Sequence, residues 1–175
     1  MEVHLEYTLQ NSNLPQMSAK DIIRILQLEP HPEGGYFKET WRSGEKLVNG
    51  RGATRNLSTA IYYLLENHDK SLFHRIGSDE LWFFHRGNPI EIFLIEEGKL
   101  VVRLLGSDVE KGENPQVFVP ADTWFSAKIR DSKGYALVSC TVSPGFDFSD
   151  FELAVRGELI RNYPNLRAII EEFTS

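Results

Sequence analysis

Short apolar runs alternate with polar, turn-rich breaks along most of the 175 residues. The first sixteen residues show no period and read as a polar arm (1–16). Ser18 then stands three residues before Asp21, as an N-cap before its partner, and Ile22, Ile23, Ile25, Leu26 and Leu28 follow at helical spacing. Pro30 and Pro32 end this helix, placed over 17–29. Residues 31–35 read as a turn, with His31 part of it rather than a ligand, and 36–42 as a strand. Residues 43–52 hold three glycines and few apolar side chains, so a mobile loop is expected there.

Strand-length segments then recur at 57–65, 71–76, 80–85, 90–95, 100–105, 116–119, 124–129 and 135–142, with Gly, Asn, Asp and Pro between them. Such spacing predicts an antiparallel sandwich or barrel rather than βαβ units. In the stretch 143–151, Phe146, Phe148 and Phe151 lie among acids, too apolar for a free tail. It is expected to be structural, docked on the barrel or on a second subunit. Residues 157–173 read as two short helices split near Pro164, docked outside the sheets. The whole is read as one mostly β domain, with its barrel over 36–142 and a C-terminal segment over 143–175.

Composition narrows the function classes. At 41% hydrophobic and 25% charged residues the chain is ordinary for a folded domain. No apolar run approaches the ~20 residues of a membrane span, and the N-terminus lacks the features of a secretion signal. With Cys140 the one cysteine, read as a buried thiol, a cytoplasmic protein without membrane contacts is expected. A net charge of −6 disfavours a nucleic-acid polymer as partner. The clusters of rings at 81–85 and 122–125 fit a core, a pocket wall, or both.

Residues 71–87, SLFHRIGSDELWFFHRG, resemble the first signature of the cupins: His-x-His, a few residues, Glu, six residues, Gly. His74, Glu80 and Gly87 stand at matching positions, with Ile76 where the second histidine falls. Residues 120–125, PADTWF, resemble the second signature, with Asp122 in place of its glycine and Phe125 in place of its histidine. Three longer runs, LEPHPEGGYFKETWRS at 28–43, HRIGSDELW at 74–82 and VSCTVSPGFDFSDFEL at 138–153, resemble the cupin family known as DUF985, or cupin_5. The resemblance implies a double-stranded β-helix (jelly roll) with short N- and C-terminal helices, assembled as a homodimer.

Two of the three imidazoles of a metal-binding cupin are thus replaced by Ile76 and Phe125, and His85 lies at odd spacing from Glu80, facing away. A catalytic metal normally takes three protein ligands and an open position, so neither a metal nor another cofactor is expected, and a metal-dependent oxygenase is the third reading. Similarity to metal-free deoxysugar-nucleotide epimerases of this fold implies His74 as base, Glu80 holding its tautomer, and Tyr36 or Tyr62 as acid. Trp82, Trp124 and Phe125 are expected to form an apolar wall. Ser139 and Thr141, on one face of their strand, are expected to line a polar cavity. Lys38 and Arg42 share parity with Tyr36 and would bring two cations to the mouth, suited to an anion. The leading expectation is a small polar or anionic metabolite, with epimerisation or isomerisation of a sugar derivative as its sharpest form. The alternative is a non-catalytic nucleotide- or sugar-binding module.

Overall fold

The computed structural model describes residues 17–175, so the arm at 1–16 lies outside the described residues. Helix α1 (Ala19–Leu26) opens on a full capping box. Ser18 Oγ accepts the Asp21 N–H, and the Asp21 carboxylate accepts the Ser18 N–H. It is shorter than the 17–29 read from the sequence because Gln27 turns left-handed (φ 55°) and closes it.

Thirteen strands follow: β1 (Glu29–Pro30), β2 (Tyr36–Arg42), β3 (Lys46–Val48), β4 (Thr54–Asn56), β5 (Thr59–Glu66), β6 (Lys70–Arg75), β7 (Asp79–Gly87), β8 (Ile90–Glu96), β9 (Lys99–Leu105), β10 (Gln116–Val119), β11 (Phe125–Ile129), β12 (Tyr135–Ser143) and β13 (Glu152–Leu153). Each of the eight segments expected as strands is one, with ends moved by no more than two residues. The loop expected at 43–52 is instead largely the hairpin β3–β4. Asn49 builds its turn, its side-chain oxygen accepting the N–H groups of Arg51 (3.0 Å) and Ala53 (2.9 Å), a local bond that apolar periodicity does not reveal.

Two antiparallel sheets face each other. One runs β1-β2-β5-β12-β7-β10 and the other β13-β6-β11-β8-β9. Their inner faces bury Tyr63, Leu65, Trp82, Ile92, Leu94, Phe125 and Val138. Helix α1 covers the outside of the first sheet, where Ile22 meets Leu64 and Tyr135. Helices α2 (Arg156–Asn162) and α3 (Arg167–Glu172), split at Pro164, cover the outside of the second, where Leu159, Ile170 and Phe173 meet Phe73 and Phe93. Fully burying one such aliphatic or aromatic side chain contributes roughly 1.5–3 kcal/mol.

Two turns explain the signature positions that are not ligands. Gly87 sits at φ 105°, and a Cβ there would lie 2.0 Å from the Tyr135 carbonyl oxygen. Asp122, in place of the signature glycine, keeps the glycine's conformation at φ 62°, which Asp tolerates better than most residues, and its carboxylate pairs with Arg51.

Candidate functional site

A cavity of about 290 Å³ opens at one end between the sheets. Strand alternation supplies its walls. Thr59, Ile61 and Tyr63 come from β5, Glu80 and Trp82 from β7, and Cys140 and Val142 from β12. His31 and Glu33 enter from the turn before β2, and Phe146, Asp147, Phe148 and Phe151 from the segment after β12. That segment was expected to be structural only. It is part of the cavity wall, strapped down by Arg55, whose Nε and Nη2 donate to Asp150 at 2.6 and 2.8 Å.

At the inner end lies a buried acid–base cluster. His74, 2% exposed, donates from Nδ1 to the Leu72 carbonyl oxygen at 2.7 Å. Its Nε2 is 3.1 Å from Glu33 Oε2. The partner of His74 is therefore Glu33, not Glu80 as the cupin signature implied. The turn carrying Glu33 is stitched to β6. Ser71 Oγ donates to Glu33 Oε1 at 3.0 Å, and the Leu72 N–H donates to the Glu33 carbonyl oxygen at 2.8 Å. His31 belongs to the same group. The Glu33 N–H donates to His31 Nδ1 at 3.2 Å, which leaves the ring hydrogen on Nε2, and burial holds this imidazole's pKa below its ordinary value. The 3.4 Å approach of Glu33 Oε2 to that nitrogen is a contact between acceptors, not an ion pair.

Glu80 is 7% exposed. Burial, reinforced by the Glu33 carboxylate, pushes its pKa from 4.5 up to about 8, so near neutral pH it holds its proton. The Cys140 thiol and the Trp82 indole sit beside it and act weakly the other way, but Trp82 Nε1 falls short of hydrogen-bond geometry with any partner. Burial also raises the Cys140 thiol and the Tyr63 phenol well above their usual ranges. The Tyr63 hydroxyl donates to the Gly34 carbonyl oxygen at 2.7 Å.

Several side chains lie elsewhere than expected. Tyr36 and Tyr62 point to the outer face of their sheet, into the cluster under α1, so neither is placed to act as an acid in the cavity. Lys38 is also outside, with Nζ donating to Gln27 Oε1 at 2.8 Å. A bulge in β2 between Glu39 and Trp41 breaks the alternation, so Phe37, Glu39 and Arg42 reach the cavity together. Arg42 keeps its expected place but is held by Glu39, at 2.9 Å from Nε and 2.7 Å from Nη2. Ser139 and Thr141 face outward, Ser139 bonding His85 Nε2 at 2.8 Å, because Cys140 and Val142 take the inner face of β12. Trp124 lies under the Arg75 guanidinium at 4.5 Å, against the C-terminal helices. Phe125 is fully buried with its ring centroid 4.1 Å from that of His74, and does not line the cavity. Trp82 does line it.

Sequence reasoning missed Glu33 and set His31 aside. The usable signal was the pair Gly34-Gly35 directly after a carboxylate. A Cβ at Gly34 would lie 2.0 Å from the Lys70 carbonyl oxygen, so the glycine lets this turn lie flat on β6.

The residues do not suit the metal centre of this fold. Among the described residues no group of three or more His, Cys, Asp or Glu side chains is arranged to hold a metal ion. Ile76 and Phe125 offer no lone pair, and both nitrogens of His74 are engaged.

A two-sheet antiparallel jelly roll with His74 and Glu80 facing its interior defines a cupin. The chain belongs to the family described as Cupin superfamily (DUF985), Cupin_5, whose model matches residues 20–154. It is 35% identical over 150 residues to an uncharacterized protein of Saccharomyces cerevisiae, covering 78% of this chain and 75% of that one. A hypothetical protein from Leishmania major superposes with a TM-score of 0.85 at 37% identity, over 90% of this chain and 99% of that one. A protein from Shewanella oneidensis does so at 0.84 and 38% identity, over 91% and 99%. No helix among the described residues is long and apolar enough to cross a membrane.

Proposed function

We propose that this cupin binds a small polar metabolite in the cavity and shifts a proton on it, as an isomerase or epimerase whose acid–base unit is the His74–Glu33 pair. The observation that carries this reading is the 3.1 Å approach of His74 Nε2 to Glu33 Oε2 inside an aromatic-lined cavity. Because Nδ1–H donates to Leu72, the only way to satisfy that contact is one proton shared between Nε2 and the carboxylate. With the shared proton on Nε2, the Glu33 carboxylate, through a lone pair not used by Ser71 or His74, takes a proton from a ligand C–H beside a carbonyl, leaves the electron pair on the ligand as an enolate, and returns the proton at the same or a neighbouring atom. The ligand's overall oxidation state does not change, so no co-reactant is needed.

The cavity volume lies at the small end of the ~300–1,000 Å³ usual for ligand pockets, which favours a single sugar-sized metabolite over a nucleotide. The aromatic lining excludes water from the reacting atoms.

The test is deuterium incorporation from D2O, followed by NMR, into a panel of hexoses, hexose phosphates and amino sugars. Exchange into a panel member, lost in Glu33→Gln and His74→Gln while both variants stay folded, supports the proposal. Thermal stabilisation by a panel member without exchange would identify a non-catalytic binding module instead. Neither stabilisation nor exchange would refute both.

A further inference from the structure

Glu80 is the buried acid of the cavity lining that the proton-transfer pair does not use. It projects from β7 into the space and is 7% exposed. Its near neighbours are the Cys140 thiol and the Trp82 indole. A thiol and a poorly aligned indole are weak donors, and a buried carboxyl with no cation beside it is suited to a charged partner that is not part of the chain.

The walls around it specify that partner's charge. The rings of Phe37, Tyr63, Trp82, Phe146, Phe148 and Phe151 line the cavity, and Tyr63 meets Trp82 edge to face at 5.5 Å. Aromatic faces are electron-rich and attract cations, most strongly where water is excluded. The charged lining points the same way. Glu33, Glu39, Glu80 and Asp147 supply carboxyls, whereas Arg42 is the one Lys or Arg among the described lining residues. Arg42 is already spent, bonded twice to Glu39 and once each to Asn56 (3.1 Å) and the Phe146 carbonyl oxygen (3.0 Å). An anion would find no free cation here, and Lys38, the other expected one, lies outside the cavity.

We infer that the cavity selects a small metabolite bearing an alkylammonium group, with the Glu80 carboxylate as its counter-ion and the rings of Trp82 and Tyr63 as its walls. The inference rests on the reading of this cavity as the ligand site, and it names the class of ligand that His74 and Glu33 act on. Glu80 stays uncharged while the cavity is empty and ionises when the ammonium group enters beside it, the same charge then being neutralised by the ligand instead of by a proton.

The test is isothermal titration of the wild-type protein with choline and with its neutral isostere, in which a tert-butyl group replaces the trimethylammonium. The two have nearly the same shape and differ in charge. We expect choline to bind at least about tenfold more tightly, and this preference to fall to about threefold or less in Glu80→Gln, whose amide keeps the size of the carboxyl. Equal binding of the two probes by the wild type, or no choline binding at millimolar concentration, would overturn the inference without reference to any variant. Because the titration reads binding alone, it fails separately from the proton-transfer proposal. A charge preference with no exchange into any substrate refutes the catalysis, whereas exchange into neutral sugars without a charge preference refutes the ammonium class.

Discussion

Replacing Glu80 by Gln should stabilise the protein, and by more the higher the pH. The carboxyl has an ordinary pKa of 4.5 in the unfolded chain and one of about 8 in the folded protein. Between these values the unfolded chain releases the proton and the folded protein keeps it, so folding becomes costlier as pH rises. The contribution of this group is most favourable below 4.5, is lost progressively up to about 8, and is flat beyond. At ~1.4 kcal/mol per pKa unit, the interval corresponds to about 5 kcal/mol at most. Glutamine mimics the protonated side chain and cannot ionise. Urea denaturation followed by tryptophan fluorescence, with stabilities obtained by linear extrapolation, measures the effect directly. Wild type and variant should lie close together near pH 5, and the variant should gain roughly 1 kcal/mol per pH unit up to about pH 8. A fixed offset from the amide's own hydrogen bonding would shift both ends equally and leave this slope intact. A difference that does not widen with pH would refute the buried, neutral Glu80, and with it the account of how the cavity receives a cation.

Three further outcomes follow from other parts of the structure. Arg55→Ala removes both bonds to Asp150 and should lower the melting temperature; limited proteolysis should then cut within 146–151, and an unchanged digestion pattern would show that the strap does not hold the segment. Gly87→Ala forces a Cβ against the Tyr135 carbonyl at φ 105° and should lower stability by at least about 2 kcal/mol, visible as a drop in melting temperature; a melting curve that matches wild type would refute the close approach. Cys140, buried in the cavity wall with its thiol pKa raised, should react with a chromogenic disulfide reagent far more slowly in the native protein than in the urea-unfolded one, and equal rates would contradict its burial.

The strands were legible because alternation with period two survives in nearly every one, and turn residues mark their ends. What alternation could not supply was which face looks into the cavity. Ser139 and Thr141 form a polar stripe that fits a polar pocket and an outer surface equally well, and they occupy the outer surface. Tyr36 and Tyr62 were assigned inward although α1 covers their face, while Tyr63, one residue on, is the tyrosine of the cavity. In β2 a single bulge was enough to carry Arg42 to the side of Phe37 and Glu39, and no local pattern announces it. His74 and Glu80 were found through their resemblance to a signature, which named the residues but paired them wrongly. The true partner, Glu33, reaches His74 through a turn folded across β6, and such long-range contacts leave no periodic trace.

The engagement of both His74 nitrogens bears on engineering. Restoring histidines at positions 76 and 125 would complete the signature in letters while leaving its first imidazole without a free lone pair, since Leu72 holds one nitrogen and Glu33 the other. A designer seeking iron or manganese here would also have to remove Glu33, and so unpin the turn that Ser71 and Leu72 fasten to β6. Conversion between the two kinds of cupin therefore demands a coordinated set of changes across separate strands. A search by single substitutions would meet a destabilised protein before it met a metalloprotein.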